Sequence, residues 1–414
     1  MSFKGKKVLI VGGGLAGLAC AVRLHEAGAV PLIFEESDGV GGRVRTDQVD
    51  GFLLDRGFQV FLDAYPEAAN LLDTKSLDLR KFKAGALIYQ CSGMKRVMDV
   101  FREPRYLVQS ALAPVGSMAD KLRVAWLKWR LTRQSIEEIA GHHDMTTEAY
   151  LKRAGFSPKM IDGFFRSFYG GIFLERELQT SSRMFEFTFK MFSQGSATLP
   201  AKGMEEIPRQ LASRLPPEAI RLGARVTKIL PDIITLDSGE QFHGDAVVIA
   251  TDASTAARWF AGKESTEPTW RSVTCLYFAA PRSPLGESII ALNGTSSGLI
   301  NNVCVPSDVA PEYAPPGQAL ISVSVLGAAR ACVESQVLAE LEAWFGSAVR
   351  EWRHLRTCRI ERALPTQAPG NGFAGSGFRV EGGVHVCGDH LWSASIEGAI
   401  ISGVRTADAI VKPS

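Results

Sequence analysis

VLIVGGGLAGLACAVRL, residues 8–24, places bare backbone directly behind an unbroken apolar run. Val8, Leu9, Ile10 and Val11 form a short, β-branched stretch of the kind buried on both faces of a parallel sheet. From Leu15 the period changes: Leu15, Leu18, Ala19 and Val22 fall on one stripe of a helix. Gly28 stands where a left-handed cap would end that helix. Pro31-Leu32-Ile33-Phe34 then reads as a second strand closing on Glu35 and Glu36. The unit is βαβ, and the glycines occupy its first turn.

Within that turn Gly12, Gly14 and Gly17 satisfy G-x-G-x-x-G. The first glycine permits the tight turn, the second lets a pyrophosphate approach the main chain, and the third lets helix and strand pack closely. Leu15 and Ala16 open the helix, whose free N–H groups and positive dipole end suit an anion. Glu35 follows Gly17 at close to the ~20-residue spacing at which an acid reaches a ribose 2′-hydroxyl. A carboxylate there disfavours a 2′-phosphate, so the turn reads as a site for FAD or NAD rather than NADP.

The 414-residue chain exceeds the ~250–300 residues at which single cores stop growing, so two domains are expected. Its hydrophobic share of 46% and charged share of 22% are ordinary for a globular protein. A net charge of +2 argues against a nucleic-acid binder. Cysteines at 20, 91, 275, 304, 332, 358 and 387 form no C-x-x-C pair, which suggests reduced core thiols, a cytoplasmic setting and no zinc cage. The residues ahead of Val8 are too few for a signal peptide, and no uncharged stretch reaches the ~18 residues of a membrane span.

Residues 39–60 carry five glycines in GVGGRVRTDQVDGFLLDRGFQV. From 95 to 192 the style changes to helices, expected at Asp120–Gln134, Thr147–Ala154 and Pro158–Phe165, with many aromatics. A further helix is expected over 204–215. Strand signals return at Arg225–Ile229, Ile233–Leu236, Gln241–Phe242 and Ala246–Ala250, and again at Gly383–Cys387 before a helix starting near Ile396. Nucleotide-type pieces at the start, middle and end predict one doubly wound, Rossmann-like α/β domain of glutathione-reductase type, made of 1–80, 200–260 and 371–414. It is interrupted by a mixed α+β substrate domain with a helical part, 81–199 and 261–370.

Glu35-Glu36-Ser37-Asp38-Gly39-Val40-Gly41-Gly42-Arg43-Val44-Arg45-Thr46 resembles the extended FAD motif of the flavin amine oxidase and phytoene desaturase superfamily. Gly41 and Gly42 would let a second loop approach the diphosphate, and Arg43 offers a fixed fork of donors. The tail from Cys387 to Gly403 is similar to that family's C-terminal flavin motif. The resemblance implies that Gly388 and Asp389 contact the ribityl-diphosphate, and that Ser395, Ile396, Glu397 and Ala399 lie along one edge of the flavin. It likewise implies that Val226 meets adenine and that Ala250-Thr251 lines the nucleotide. Lys202-Gly203-Met204 is similar to the family's glycine-methionine turn. Asp55 to Pro66, with Gly57, Phe58 and Gln59, looks like the plant and cyanobacterial phytoene and ζ-carotene desaturases. Ser395 stands where amine oxidases carry a tyrosine wall of their aromatic cage.

These features predict an FAD-dependent oxidoreductase that takes a hydride from a lipophilic, isoprenoid or carotenoid-like substrate, with oxygen or a quinone reoxidising the flavin. An amine oxidase or protoporphyrinogen-type oxidase releasing hydrogen peroxide, and a redox-inactive nucleotide-binding relative, are the alternatives. No Ser/His/Asp triad or metal cluster is seen, and Asp55, Gln59 and His390 are the polar candidates near the reacting centre. Ala119–Gln134 sets Leu122, Ala125, Trp126 and Trp129 on one stripe beside five basic residues. That pattern reads either as an interfacial helix in peripheral contact with a membrane or, the preferred reading, as a helix packing its Trp face inward.

Overall fold

A computed structural model describes residues 4–90, 92–106, 108, 110, 113, 115–259, 269–295, 297–328, 333–371, 373, 378–381 and 383–412. Strand Lys7–Val11, helix Leu15–Glu26 and strand Val30–Phe34 form the expected βαβ unit, and Gly28 ends the helix at φ +85°. The two strands pair in parallel with Ile10 beside Ile33. On the other side of the first strand Ala246–Ile249 pairs in parallel, Ile10 beside Val248, and Val384–Val386 continues the sheet with Val248 beside His385. Short strands Ile220–Arg221 and Arg379–Glu381 form the two edges, the latter antiparallel.

Alternation across this six-stranded sheet separates two cores. Val8, Ile10, Ile33 and Val248 face the layer of helix Leu15–Glu26 and the C-terminal helix Ile396–Val411. Leu9, Val11, Phe34, Val247 and Ile249 face the three-stranded meander Val226–Ile229, Ile233–Leu236 and Gln241–His243. The two helices touch intimately, because a Cβ on Gly403 would lie 2.2 Å from the Ala16 carbonyl oxygen. The α/β architecture predicted from the glycine turn is therefore present, with helices on one face of the parallel sheet and the meander on the other.

A second, seven-stranded sheet runs in the order Arg353–Pro365, Trp270–Ala280, Ala319–Leu326, Ile300–Cys304, Ile290–Asn293, Gly85–Gln90 and Gly93–Met98. Helix Val333–Phe345 seals one face through Val337 and Leu341. Helices Met118–Arg133, Ile136–Ala140, Thr147–Arg153 and Ser182–Gln194 build the all-helical part. The helix expected to stop at Phe165 continues to Phe173 through a π-turn at Ile161–Phe165. Gly170 and Gly171 do not break it; they let it lie against Asn301, 2.8 Å from where a Cβ on Gly171 would sit.

The inward packing preferred for Trp126 and Trp129 is overturned. Leu122, Trp126 and Trp129 are 68%, 53% and 55% exposed. Helix Met118–Arg133 buries Asp120, Leu127 and Leu131 instead. Its inward polar groups find partners: Asp120 in Ser117 and Ser157, the Arg130 Nη2 in Glu186, and Lys128 in Asp99. Cys20, Cys275, Cys304 and Cys387 are buried free thiols and Cys358 is half-buried, while Cys91 and Cys332 lie outside the described residues. Among the described residues no helix is long and apolar enough to cross a membrane.

Candidate active site

The three glycines of the first turn differ in what surrounds them. A Cβ on Gly12 would sit 2.8 Å from the Ala250 carbonyl oxygen, and one on Gly17 would sit 2.1 Å from that of Gly12. These two are required by packing, and Gly12 also by its φ of +111°. Gly14 has φ −73° and no protein atom within 4 Å of its missing Cβ. Neither backbone angle nor packing calls for glycine there; the gap fits a group that is not protein. Gly14 caps helix Leu15–Glu26, whose first turn has no side-chain cap and no acid.

The paired-glycine loop closes on the same turn. Gly41 N–H donates to the Gly13 carbonyl at 2.8 Å, and Gly42 lies against the Gly14 Cα. Glu35 binds the turn from below, accepting from Gly13 N–H at 2.7 Å and from Ser37 N–H and Oγ. Glu36 does not join them; it is exposed and stands 3.9 Å from Arg225. Ala250 and Thr251 back Gly12, and Val226 packs in the meander core.

The tail arrives from the far end of the chain. Gly388 N–H donates to Ser402 Oγ, and buried Asp389 accepts from Arg43 Nη2 at 2.7 Å. Burial disfavours the Arg43 charge, but Asp389 outweighs it and the guanidinium is held in its charged form. Arg43 also donates to the Ala363 carbonyl and lies over Trp270. Ser395 caps helix Ile396–Val411 by accepting from Gly398 N–H. Ile396 and Ala399 are half-buried on its first turn. The glycine turn, the Gly41-Gly42-Arg43 loop and the tail thus meet at one place.

Other candidates hold protein rather than face an open site. Asp55 is buried; its carboxylate accepts from Thr46 Oγ1 at 2.5 Å, Met204 N–H at 3.0 Å and Tyr313 Oη at 2.8 Å. Its carbonyl accepts from Tyr277 Oη, so the second sheet is tied to the loop that Gly57 continues. Burial pushes Asp55 up to about 6 despite these donors. Gln59 donates to the Arg43 carbonyl at 2.9 Å, and Phe58 meets Phe82 edge to face. The His390 ring lies against Gly388, where a Cβ would come within 2.5 Å of it. Glu397 is fully buried and accepts from Glu67 and Ala68 N–H, capping helix Pro66–Leu71; burial raises it to about 7. With Trp392 and Arg405 it lines a cavity of about 140 Å³.

Tyr65 was not singled out from the sequence. It is buried, hydrogen-bonded through its side chain to Ser395, and stacked on Phe187 at 6.2 Å with an interplanar angle of 8°. Phe187 in turn meets Phe373. Tyr65, Phe187, Phe373 and Ser395 come from four separated stretches, and no local pattern links them.

The family model for flavin containing amine oxidoreductase matches residues 15–411, and the chain belongs to that family. A ζ-carotene-forming phytoene desaturase of Myxococcus xanthus is 26% identical over 291 residues, 61% of this chain and 54% of its own. Protoporphyrinogen oxidase 2 of Arabidopsis thaliana is 32% identical over 108 residues, 26% of this chain and 18% of its own. The chain thus spans from under a fifth to about half of the length of these curated relatives. A putrescine oxidase redesigned in its cofactor binding shares the fold, with TM-score 0.74 at 16% identity over 99% of this chain and all of its own.

Proposed function

We propose that segments 1–80, 200–260 and 371–414 hold FAD and that 81–199 and 261–370 receive a lipophilic, isoprenoid or carotenoid-like substrate, from which a hydride is removed. Bound FAD supplies the two-electron acceptor, and oxygen or a quinone takes the electrons onward. Gly14 and the N-terminus of helix Leu15–Glu26 would receive the diphosphate, with Glu35 at the ribose and Arg43 supplying charge-assisted donors. The positive end of helix Ile396–Val411 would stabilise negative charge at the flavin edge. Asp55 and Gln59 act here by holding the Arg43 and Gly57 loops, and His390 by lying along Gly388.

One observation carries the substrate reading. The acids of the tail are already committed, Glu397 to two backbone N–H groups and Asp389 to Arg43. Beside Ser395 stands Tyr65, with the rings of Phe187 and Phe373 packed in series behind it. With the tail carboxylates engaged, a wall of stacked rings suits an extended polyene.

The test is anaerobic single-turnover reduction of the FAD-loaded protein. A phytoene-type polyene in detergent micelles is expected to bleach the visible flavin band and yield a product with one more double bond. Bleaching by members of an amine panel or by a porphyrinogen, with peroxide formed on admitting oxygen and no response to polyenes, would replace this reading with the oxidase alternative. A flavin reduced by dithionite alone would point to the redox-inactive relative.

A further inference from the structure

Helix Met118–Arg133 turns the stripe Met118, Leu122, Trp126 and Trp129 to solvent, at 58%, 68%, 53% and 55% exposure. Spacings of four, four and three residues keep these side chains on one face. Phe101, 64% exposed, extends the patch, lying beneath the Lys128 ammonium at 5.0 Å. Val108, in the segment before this helix, is 69% exposed. Isolated surface apolar residues need no explanation, but a continuous row of this kind marks an interaction site.

The charge around the row is one-sided. Asp99 to Gln134 contains seven basic and three acidic residues. Two of those acids are turned away from the row: Asp120 is fully buried among Ser117 and Ser157, and Asp99 is bound by Lys128. Arg133 lies 4.4 Å from the exposed Trp129 ring, while Arg130, bound to the buried Glu186, also lies 5.0 Å from Trp126. Lys121 and Arg123 flank Leu122 on the same helix.

We propose that this face docks the protein on an anionic lipid bilayer, with the helix lying in the interface and the Trp, Leu and Phe side chains entering the headgroup boundary. Indoles prefer that depth, and arginine and lysine heads pair with anionic headgroups while their stems cover apolar surface. A second copy of the chain is a poor occupant: a two-fold contact through this row would oppose its basic belt with the same belt. The helix is too short and too charged to span, so the mode is lying on the membrane. The proposal does not depend on the identity of the substrate.

Flotation of the FAD-loaded protein with vesicles tests it, comparing phosphatidylcholine alone with phosphatidylcholine plus phosphatidylglycerol at low and high salt. Association with the anionic vesicles is expected, weakened by salt, with about tenfold or greater preference over the neutral ones. The double variant Trp126→Gln, Trp129→Gln should float roughly tenfold less at either salt while retaining its flavin absorbance. The variant Arg123→Gln, Arg133→Gln should lose mainly the salt-sensitive part. Lack of flotation with anionic vesicles at low salt would overturn the proposal, as would unchanged flotation of the Trp variant. So would absence of vesicle binding together with a dimer or a protein complex that the Trp variant abolishes, since the row would then belong to that partner.

Discussion

Gly14 and Gly17 lie three residues apart in one motif, yet they answer to different constraints. Gly17 has no room for a Cβ beside the Gly12 carbonyl, so Gly17→Ala is expected to destabilise the fold by about 2 kcal/mol. Gly14→Ala meets no protein atom and should change stability by less than about 1 kcal/mol, as for a helix N-cap. It should nevertheless lower flavin content, read as the ratio of flavin to protein absorbance beside a thermal melt. Asp55 gives a pH prediction. Its carboxyl lies at about 6 when folded, against roughly 3.9 in an unfolded chain. The native state therefore binds more protons between those values, and stability falls as pH rises from about 4 to about 6, by roughly 3 kcal/mol. In Asp55→Asn this slope should flatten, measured by denaturant midpoints at pH values on both sides of the window. The glycines were legible in the sequence because a βαβ turn is local. The Asp55 network was not, because Met204, Tyr277 and Tyr313 reach it from 149 to 258 residues away.

Helices show the same divide one level up. The stripe reads as a helix over Asp120–Gln134, two residues late at its start and one past the end of Met118–Arg133, but a stripe does not say which side the protein covers. The inward side was settled by distant partners: Ser157 for Asp120 and Glu186 for Arg130. Asp120 is the pin of this element, accepting from Ser117 N–H and Oγ and from Ser157 N–H and Oγ. Burial would raise it, but these donors prevail and hold it at about 2. Asp120→Ala removes the capping box and orphans those donors, so a loss of about 2 kcal/mol is expected in chemical denaturation. In the wild type the contribution of Asp120 is complete above about pH 4 and lost as pH falls through about 2, opposite in sign to Asp55. Glu397 shows the same divide: it reads as a flavin-side residue of the tail motif, but its carboxylate accepts from Glu67 N–H, 330 residues earlier.

At the level of the whole molecule, loading with FAD should stabilise by mass action, about 2.7 kcal/mol at a free concentration one hundred times its dissociation constant. Differential scanning fluorimetry of flavin-stripped protein titrated with FAD is expected to show a rising, saturating melting temperature. The central sheet that supports this site joins Lys7–Val11 to Ala246–Ile249 and the latter to Val384–Val386. The order of its strands in space is thus far from their order of emergence from a ribosome. The amino-terminal strand waits beside an unfilled neighbour through more than two hundred residues of translation, and the next gap in the sheet stays open through over a hundred more. At typical elongation rates that is on the order of ten to sixty seconds of exposed, β-branched edge. Production of this protein should accordingly depend on chaperone supply and temperature, and a nascent chain stalled short of Val384 should be a client for holdases rather than a carrier of flavin.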